Sequence, residues 1–552
     1  MFTRQNYLLD ISDTRFATDQ EFYYFTWFQN HVVLDVAPDF HTVEWSTSIL
    51  QACDRLLPVR TAAIALAALA KASQSSKTAR KQKTASMPSV DVTREALNHH
   101  AFALRWYQKA IRSMRGSFEH ENPSVRTIII YCIITACFDS AHGDQDAATA
   151  QIRTGIMALK DWRLDPRKSW NRSISLSSGR DSLTVDDCLV QSMTRMETQL
   201  MAIRVPSSAR AYVSLLYDKV DLINSIPHSF GGIENARKSL DLIVQRTMNF
   251  NRPPVPVDPE SAQQLPINPI SPIGPHTMAV QCVFAPPPES RMFPQGYTHP
   301  RNHFFDVSHK ILNNAHLQEY PDMEPELAAH DAYLDTWAMS FTPLLKSSIE
   351  SGGQEAIRSL TLWIEMYSAK LFRSFAFKSE MEYDAFFPHF QNIVSNASLL
   401  QQVRESLPHS HKSQSILSKS RLTSNHNSAQ INSSEETSLG FSFELGILPA
   451  LQMTAMKCRD GPVRREALRL MEKHDRREGI HDSHVMAGIA RWVIGLEGQL
   501  ESNANEEDVV PVERRTTHLF LDFDWLKREV YMRCLMPGST GWWLMKAGSF
   551  VW

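Results

Sequence analysis

Apolar residues returning every three or four positions constrain this chain most. That spacing gathers them on one face of an α-helix and on no single face of a strand. Between Ala96 and Arg115 the stripe is Leu97, Ala101, Leu104, Tyr107, Ile111 and Met114. A second stripe holds Val185, Leu189, Met193, Met196, Leu200 and Ile203, with Thr184 and Asp187 placed as a capping pair. A third, Val463, Ala467, Leu470 and Met471, enters through Asp460-Gly461-Pro462 and is expected to stop near Gly479. Val485, Ile489, Trp492, Val493, Leu496 and Leu500 make a fourth. Sustained alternation of the strand kind is scarce. Glycine is scarce too, 20 of 552 residues, about half of ordinary usage, which argues for few tight turns. The predicted fold class is all-α, a large multi-helix body with Pro-rich and Ser-rich insertions.

Three stretches interrupt the helical pattern. Lys71–Val90 is polar, Ser-rich and locally basic, and reads as a surface loop. Asn251–Pro300 holds 13 of the 29 prolines, and a residue that fixes φ and lacks an N–H cannot recur inside a long helix. Ser410–Ser438 carries ten serines and almost no large apolar residue, a composition too polar to build a core. The expected organisation is an N-terminal helical half over 20–249 and a Pro-rich linker over 250–300. A central helical segment follows over 301–408, then a Ser-rich flexible insertion over 409–438 and a C-terminal helical segment over 439–552.

Charge excludes one class of function. Lys plus Arg number 57 and Asp plus Glu 60, a formal charge of -3, whereas a chain wrapping nucleic acid over much of its surface carries a basic excess. Seven scattered cysteines, an odd number, suggest reduced thiols inside a cell. Neither a basic start followed by an apolar core nor a bilayer-length apolar run is found. The longest runs, Ala62–Ala70 and Ile128–Ala136, fall short of the ~20 residues a span needs. The expectation is a soluble intracellular protein with no membrane contact.

Signatures of enzyme chemistry are sparse. No G-x-x-x-x-G-K, G-x-G-x-x-G, G-x-S-x-G or H-E-x-x-H occurs. His474, His481 and His484 cluster, but without a thiolate or carboxylate at ligand spacing they read as helix-end histidines, since zinc needs at least three protein ligands. Asp522 and Asp524 flank Phe523 in an alternating Leu521, Phe523, Trp525 pattern, which points to buried aromatics with solvated carboxylates. Cys132 and Cys137 sit in the apolar run TIIIYCIITACF as small core residues. Arg464, Arg465, Arg469, Arg476 and Arg477 interleave with Glu466, Glu472, Asp475 and Glu478 and read as a mixed salt-bridged face. Lys77, Arg80, Lys81 and Lys83 place four cations in seven residues, a candidate nuclear-import cluster as well as an ordinary solvated loop. Catalytic residues, metal ligands and cofactors are not expected. Trp106, Trp492, Trp542 and Trp543 read as core.

Several longer strings, taken in order, carry a resemblance. YYFTWFQNHVVLDVAPDFHTVEWSTSILQACDRLLPVRTAAIALAALAKAS (Tyr23–Ser73) resembles the opening of the regulatory region of fungal Zn₂Cys₆ binuclear-cluster transcription factors. Ala96–Arg115 is similar to that region's next helix, and Thr127–Trp162 to the Cys-containing hairpin after it. EMEYDAFFPHF (Glu380–Phe390) resembles its acidic-Tyr-Asp segment. The strongest match is Leu448–Glu497, with its KCRD, RREAL and RREG strings; His481 stands where many relatives place Trp. The resemblance runs from about Gln20 onward. It implies an all-helical regulatory body, a nuclear location, control of a metabolic or secondary-metabolite gene cluster, and partners among other transcription regulators or co-activators, as a homo- or heterodimer.

One departure from the family matters. The cluster module needs six closely spaced cysteines starting C-x-x-C. In these 552 residues no C-x-x-C exists, and the first cysteine, Cys53, already lies within the regulatory resemblance. The family's DNA contacts therefore transfer to no residue here, and sequence-specific DNA binding by these residues alone is not expected. The expected function is a transcription regulator or co-regulator without its own DNA reader in these 552 residues; the other reading of the same absence is a zinc cluster encoded upstream of Met1. One alternative is an inhibitory protein that pairs with an intact zinc-cluster factor; a remote one is a metal-dependent enzyme on a helical scaffold.

Overall fold

The computed structural model describes residues 16–38, 40, 42–83, 90–120, 123–164, 187–203, 226–250, 292–294, 323–371, 380–406, 441–443, 446–474, 476–479, 481–498, 509–524, 528–537 and 542–551. The body is mostly helical, as the periodicity requires. It opens with α1 (Asp19–Trp27), which continues through a π-turn at Phe28–Val32, and with α2 (Thr42–Arg55). Next come α3 (Leu57–Lys83), α4 (Val90–His120), α5 (Val125–His142) and α6 (Gln145–Leu164). These helices, with α7 (Asp187–Ile203), surround one hydrophobic core.

Two helices are central because they are apolar on every side. In α3 every residue from Ala62 to Ala70 is buried. In α5 twelve consecutive residues, Ile129 to Ser140, are buried. By length and composition α5 could cross a bilayer, but 72% of it lies inside the protein. Its ends are capped: the Ser124 hydroxyl accepts from the Thr127 amide at 3.2 Å, and Gly143 at φ 101° donates to Asp139 O at 3.0 Å. Only a residue without Cβ enters that left-handed turn cheaply.

The α4 stripe departs from expectation. Met114 is buried and Tyr107 stacks on Phe138 at 4.0 Å, but Leu97 is 64% exposed and Ile111 38%. The inward row is instead Ala96, Ala103 and Ala110. Small residues on both helices let α4 lie close along Ala-rich α3, and the neighbouring large side chains are turned outward.

A second core gathers around Trp337, Phe341, Phe390 and Leu451. Its helices are α8 (Ile233–Phe250), α9 (Met323–Ser351), α10 (Gly353–Leu371), α11 (Phe387–Ser406), α12 (Leu448–Lys457), α13 (Gly461–Lys473) and α14 (Ser483–Leu496). The Trp337 indole, fully buried in α9, donates to the Ala236 carbonyl of α8 at 2.8 Å. The Asp460 side chain caps α13, accepting from the Val463 amide at 2.9 Å, with Pro462 in the first turn. That helix ends at Lys473 rather than near Gly479. Gly479, at φ 58°, turns a short hairpin between β3 (Arg477–Glu478) and β4 (His481–Asp482), beside β2 (Phe441–Ser442).

The C-terminal segment is not helical throughout. Strands β5 (Thr517–Asp524), β6 (Glu529–Pro537) and β7 (Trp542–Val551) form an antiparallel meander, with β1 (Met292–Pro294) on the far edge of β7. Alternation explains it: Val530, Met532, Cys534 and Met536 are buried, while Tyr531 is exposed. The Ser-rich insertion 409–438, and all of the Pro-rich linker but Phe250 and β1, lie outside the described residues.

Candidate functional site

The two cores exchange side chains and meet over buried charges, and this junction is the candidate functional site. Phe40, from the N-terminal helices, lies in the second core, while Phe443 lies in the first and donates its amide to Val36 O at 3.0 Å. Arg195 of α7, the first core's helix, reaches Asp241 of α8 at 3.0 Å and Glu365 of α10 at 3.6 Å. The Arg237 guanidinium lies 3.7 Å from the centre of the Phe40 ring. Burial pushes the Glu365 carboxyl up to about 7, against the pull of Arg195 and Arg237. Burial, with Arg195 nearby, draws Arg237 down to about 9. Burial also works against the charge on Arg195, but Asp241 and Glu365 outweigh it and hold Arg195 above its ordinary value.

A second contact between the halves runs through the β3–β4 hairpin. Arg477 donates to the Ser140 carbonyl of α5 and pairs with Asp482 at 2.5 Å. Glu478, 3% exposed, accepts from the Leu448 amide at 3.0 Å and from His474 Nε2 at 2.8 Å. It thereby caps α12, whose own N-cap residue Ile447 offers no side-chain oxygen. Burial alone would raise Glu478, but the His474 bond and charge and the Leu448 amide hold it at about 2. Gly446 sits so close to this carboxylate that a Cβ there would collide with it.

Beside it is a third buried set. Arg464 is fully buried, donates to Ala455 O at 2.8 Å and pairs with Glu497 at 2.5 Å. Glu497 also accepts from the Thr516 amide at 2.6 Å and from Arg459 at 3.4 Å, and Arg459 reaches Glu380 at 2.7 Å. The KCRD, RREAL and RREG strings thus supply interior charges that tie α12, α13, α14, the β3–β4 hairpin and the start of β5 together. Salt bridges form as the interleaved charges suggest at Arg469, paired with Glu466 at 2.6 Å on the surface, whereas Arg464 and Arg477 pair further inside, with Glu497 and Asp482. Isolated charges cannot be desolvated cheaply, so each is matched by an opposite charge or a carbonyl.

The other sequence candidates scatter. His474 binds Glu478, His481 is buried and held down at about 4 by that burial, and His484 opens α14. Among the described residues no group of three or more His, Cys, Asp or Glu side chains is placed to hold a metal ion. Cys132 and Cys137 are buried thiols, with burial pushing Cys132 up to about 12 and Cys137 higher still. Asp522 and Asp524 lie on β5. Lys77, Arg80, Lys81 and Lys83 lie on the last turns of α3, not on a loop, because the helical run of Ala and Ser continues into them. Trp492 packs against the third, smaller cluster under the sheet.

Sequence reasoning missed the junction residues Arg195, Arg237, Asp241 and Glu365. Two signals were present: Arg195 directly precedes a stripe residue, Met196, and Glu365 interrupts the apolar run Leu362-Trp363-Ile364. Compared with known proteins, the chain matches no family model, no curated protein and no solved structure.

Proposed function

We propose that this chain is a transcription regulator or co-regulator that acts in the nucleus through protein partners, one of which reads DNA. The observation that carries the reading is the ordered series of segments resembling a binuclear-cluster regulatory region, from Tyr23–Ser73 to Leu448–Glu497. The helical body suits it, since grooves and faces between amphipathic helices are where partner helices dock. These 552 residues hold no C-x-x-C, so any DNA contact made through this stretch would come by way of a DNA-bound partner, in a co-regulator's or an inhibitor's arrangement. Control of a metabolic or secondary-metabolite gene cluster belongs to the same reading.

The test is a transcript profile of a strain deleted for the gene, rescued with codons 1–552. A compact gene set that falls silent and is restored supports the reading; a set that rises on deletion supports the inhibitory form. An unchanged profile where the gene is expressed rejects both. A gel shift in which the purified chain binds a specific DNA sequence tightly would reject dependence on a partner.

A further inference from the structure

The uncovered row on α4 points to a partner. Leu97, Ile111 and Phe118 are 64%, 38% and 51% exposed, and Leu104 between them is half-buried. The four stand seven residues apart, so they form one row about 32 Å long on one helix face. A lone surface leucine needs no explanation, but a row in heptad register does. Arg105 and Arg112, also seven apart, and Arg115 are exposed alongside it. Arg105 donates to Ala101 O of its own helix at 3.2 Å, and among the described residues no carboxylate forms an ion pair with any of the three.

We propose that this face of α4 docks an amphipathic helix of another protein, with apolar residues at heptad spacing and carboxylates along the flank that meets Arg105, Arg112 and Arg115. The apolar row supplies burial and the arginines supply orientation and choice of partner. A second copy of this chain fits poorly. Antiparallel pairing about the row's centre sets Arg105 against the copy's Arg112. Parallel pairing brings His100, Tyr107 and Met114, not carboxylates, to the arginines. The proposal stands on α4 alone and goes beyond the regulatory reading, which does not name a surface.

The test uses the full chain and two labelled synthetic helices of about four heptads. Both carry Leu at the a and d positions; one has Glu and the other Lys at e and g. By fluorescence anisotropy the Glu helix is expected to bind at least about tenfold more tightly than the Lys helix. The triple variant Arg105→Glu, Arg112→Glu, Arg115→Glu should invert that preference. Leu97→Asp with Ile111→Asp should abolish binding of both while leaving the circular-dichroism melting curve in place. The proposal is overturned by equal binding of the two helices, by no binding to wild type, or by a preference the triple variant does not change. It is also overturned if sedimentation shows a dimer that Ile111→Asp dissolves, since the occupant would then be a second copy.

Discussion

Asp139 is a buried carboxyl that receives the Tyr107 hydroxyl at 2.7 Å, and its burial raises it to about 7 despite that bond. In the unfolded chain it ionises near 3.9. The folded state therefore holds its proton longer, and its contribution to stability is full below pH 4 and is lost as pH climbs to about 7. Asp139→Asn keeps the acceptor for Tyr107 and removes the charge. The difference between variant and wild type in urea unfolding should be near zero at pH 4 and favour Asn by about 1–3 kcal/mol at pH 8; a difference independent of pH would reject this. Arg528, at φ 53° in the turn before β6, bears a different cost, since a Cβ in the left-handed region is strained by roughly 1–2 kcal/mol. Arg528→Gly should raise stability by about 1 kcal/mol on thermal melting. Neither residue announces itself in the sequence: Asp139 reads as one acid at the end of an apolar run, and Arg528 as a surface cation.

Helix α14 lies on the meander through two glycines, and there the tolerance for substitution is small. A Cβ at Gly548 would collide with the Trp492 indole, and one at Gly488 with the Phe550 ring. Gly548→Ala, in the middle of β7, must push the helix off the sheet or turn Trp492 away. Overpacking of this kind costs about 1–3 kcal/mol, and the loss should appear as a lower urea midpoint with altered tryptophan fluorescence. An unshifted midpoint would mean that Trp492 has room to move. Element by element, legibility followed the number of neighbours that decide a residue's fate. α13 and α14 were readable because caps and stripes are local: Asp460, Pro462, and the series from Val485 to Leu496. The meander was not, although Leu521 and Phe523 alternate with Asp522 and Asp524, because a strand is stabilised by the residues of its cross-strand neighbours and not by its own pattern alone. On α4 the stripe was visible, but which of two adjacent faces is buried depends on the small residues of α3. That information lies outside the α4 sequence.

At the scale of the whole molecule the question is what couples the two cores. Apolar exchange of Phe40 and Phe443 contributes, and so do charges that lie between the cores, chiefly Arg195 with Asp241 and Glu365. These pairings were illegible in the sequence because their members stand 46 and 170 residues apart, and nothing local selects one carboxylate over another. Their energetics differ from those of a surface pair. Arg469 and Glu466, 51% and 34% exposed, remain solvated, and Arg469→Ala should cost less than about 0.5 kcal/mol. Arg195→Met instead takes from Asp241 and Glu365 the guanidinium they share, with Glu234 also nearby, and breaking a largely buried pair in this way costs about 3–5 kcal/mol. Because that loss falls on the joint rather than within either core, unfolding should also change character. Urea titration of Arg195→Met, followed both by tryptophan fluorescence and by far-ultraviolet circular dichroism, should show two separated transitions where the wild type shows one. Coincident curves at an unchanged midpoint would mean that the exchanged phenylalanines, not the buried charges, couple the two cores.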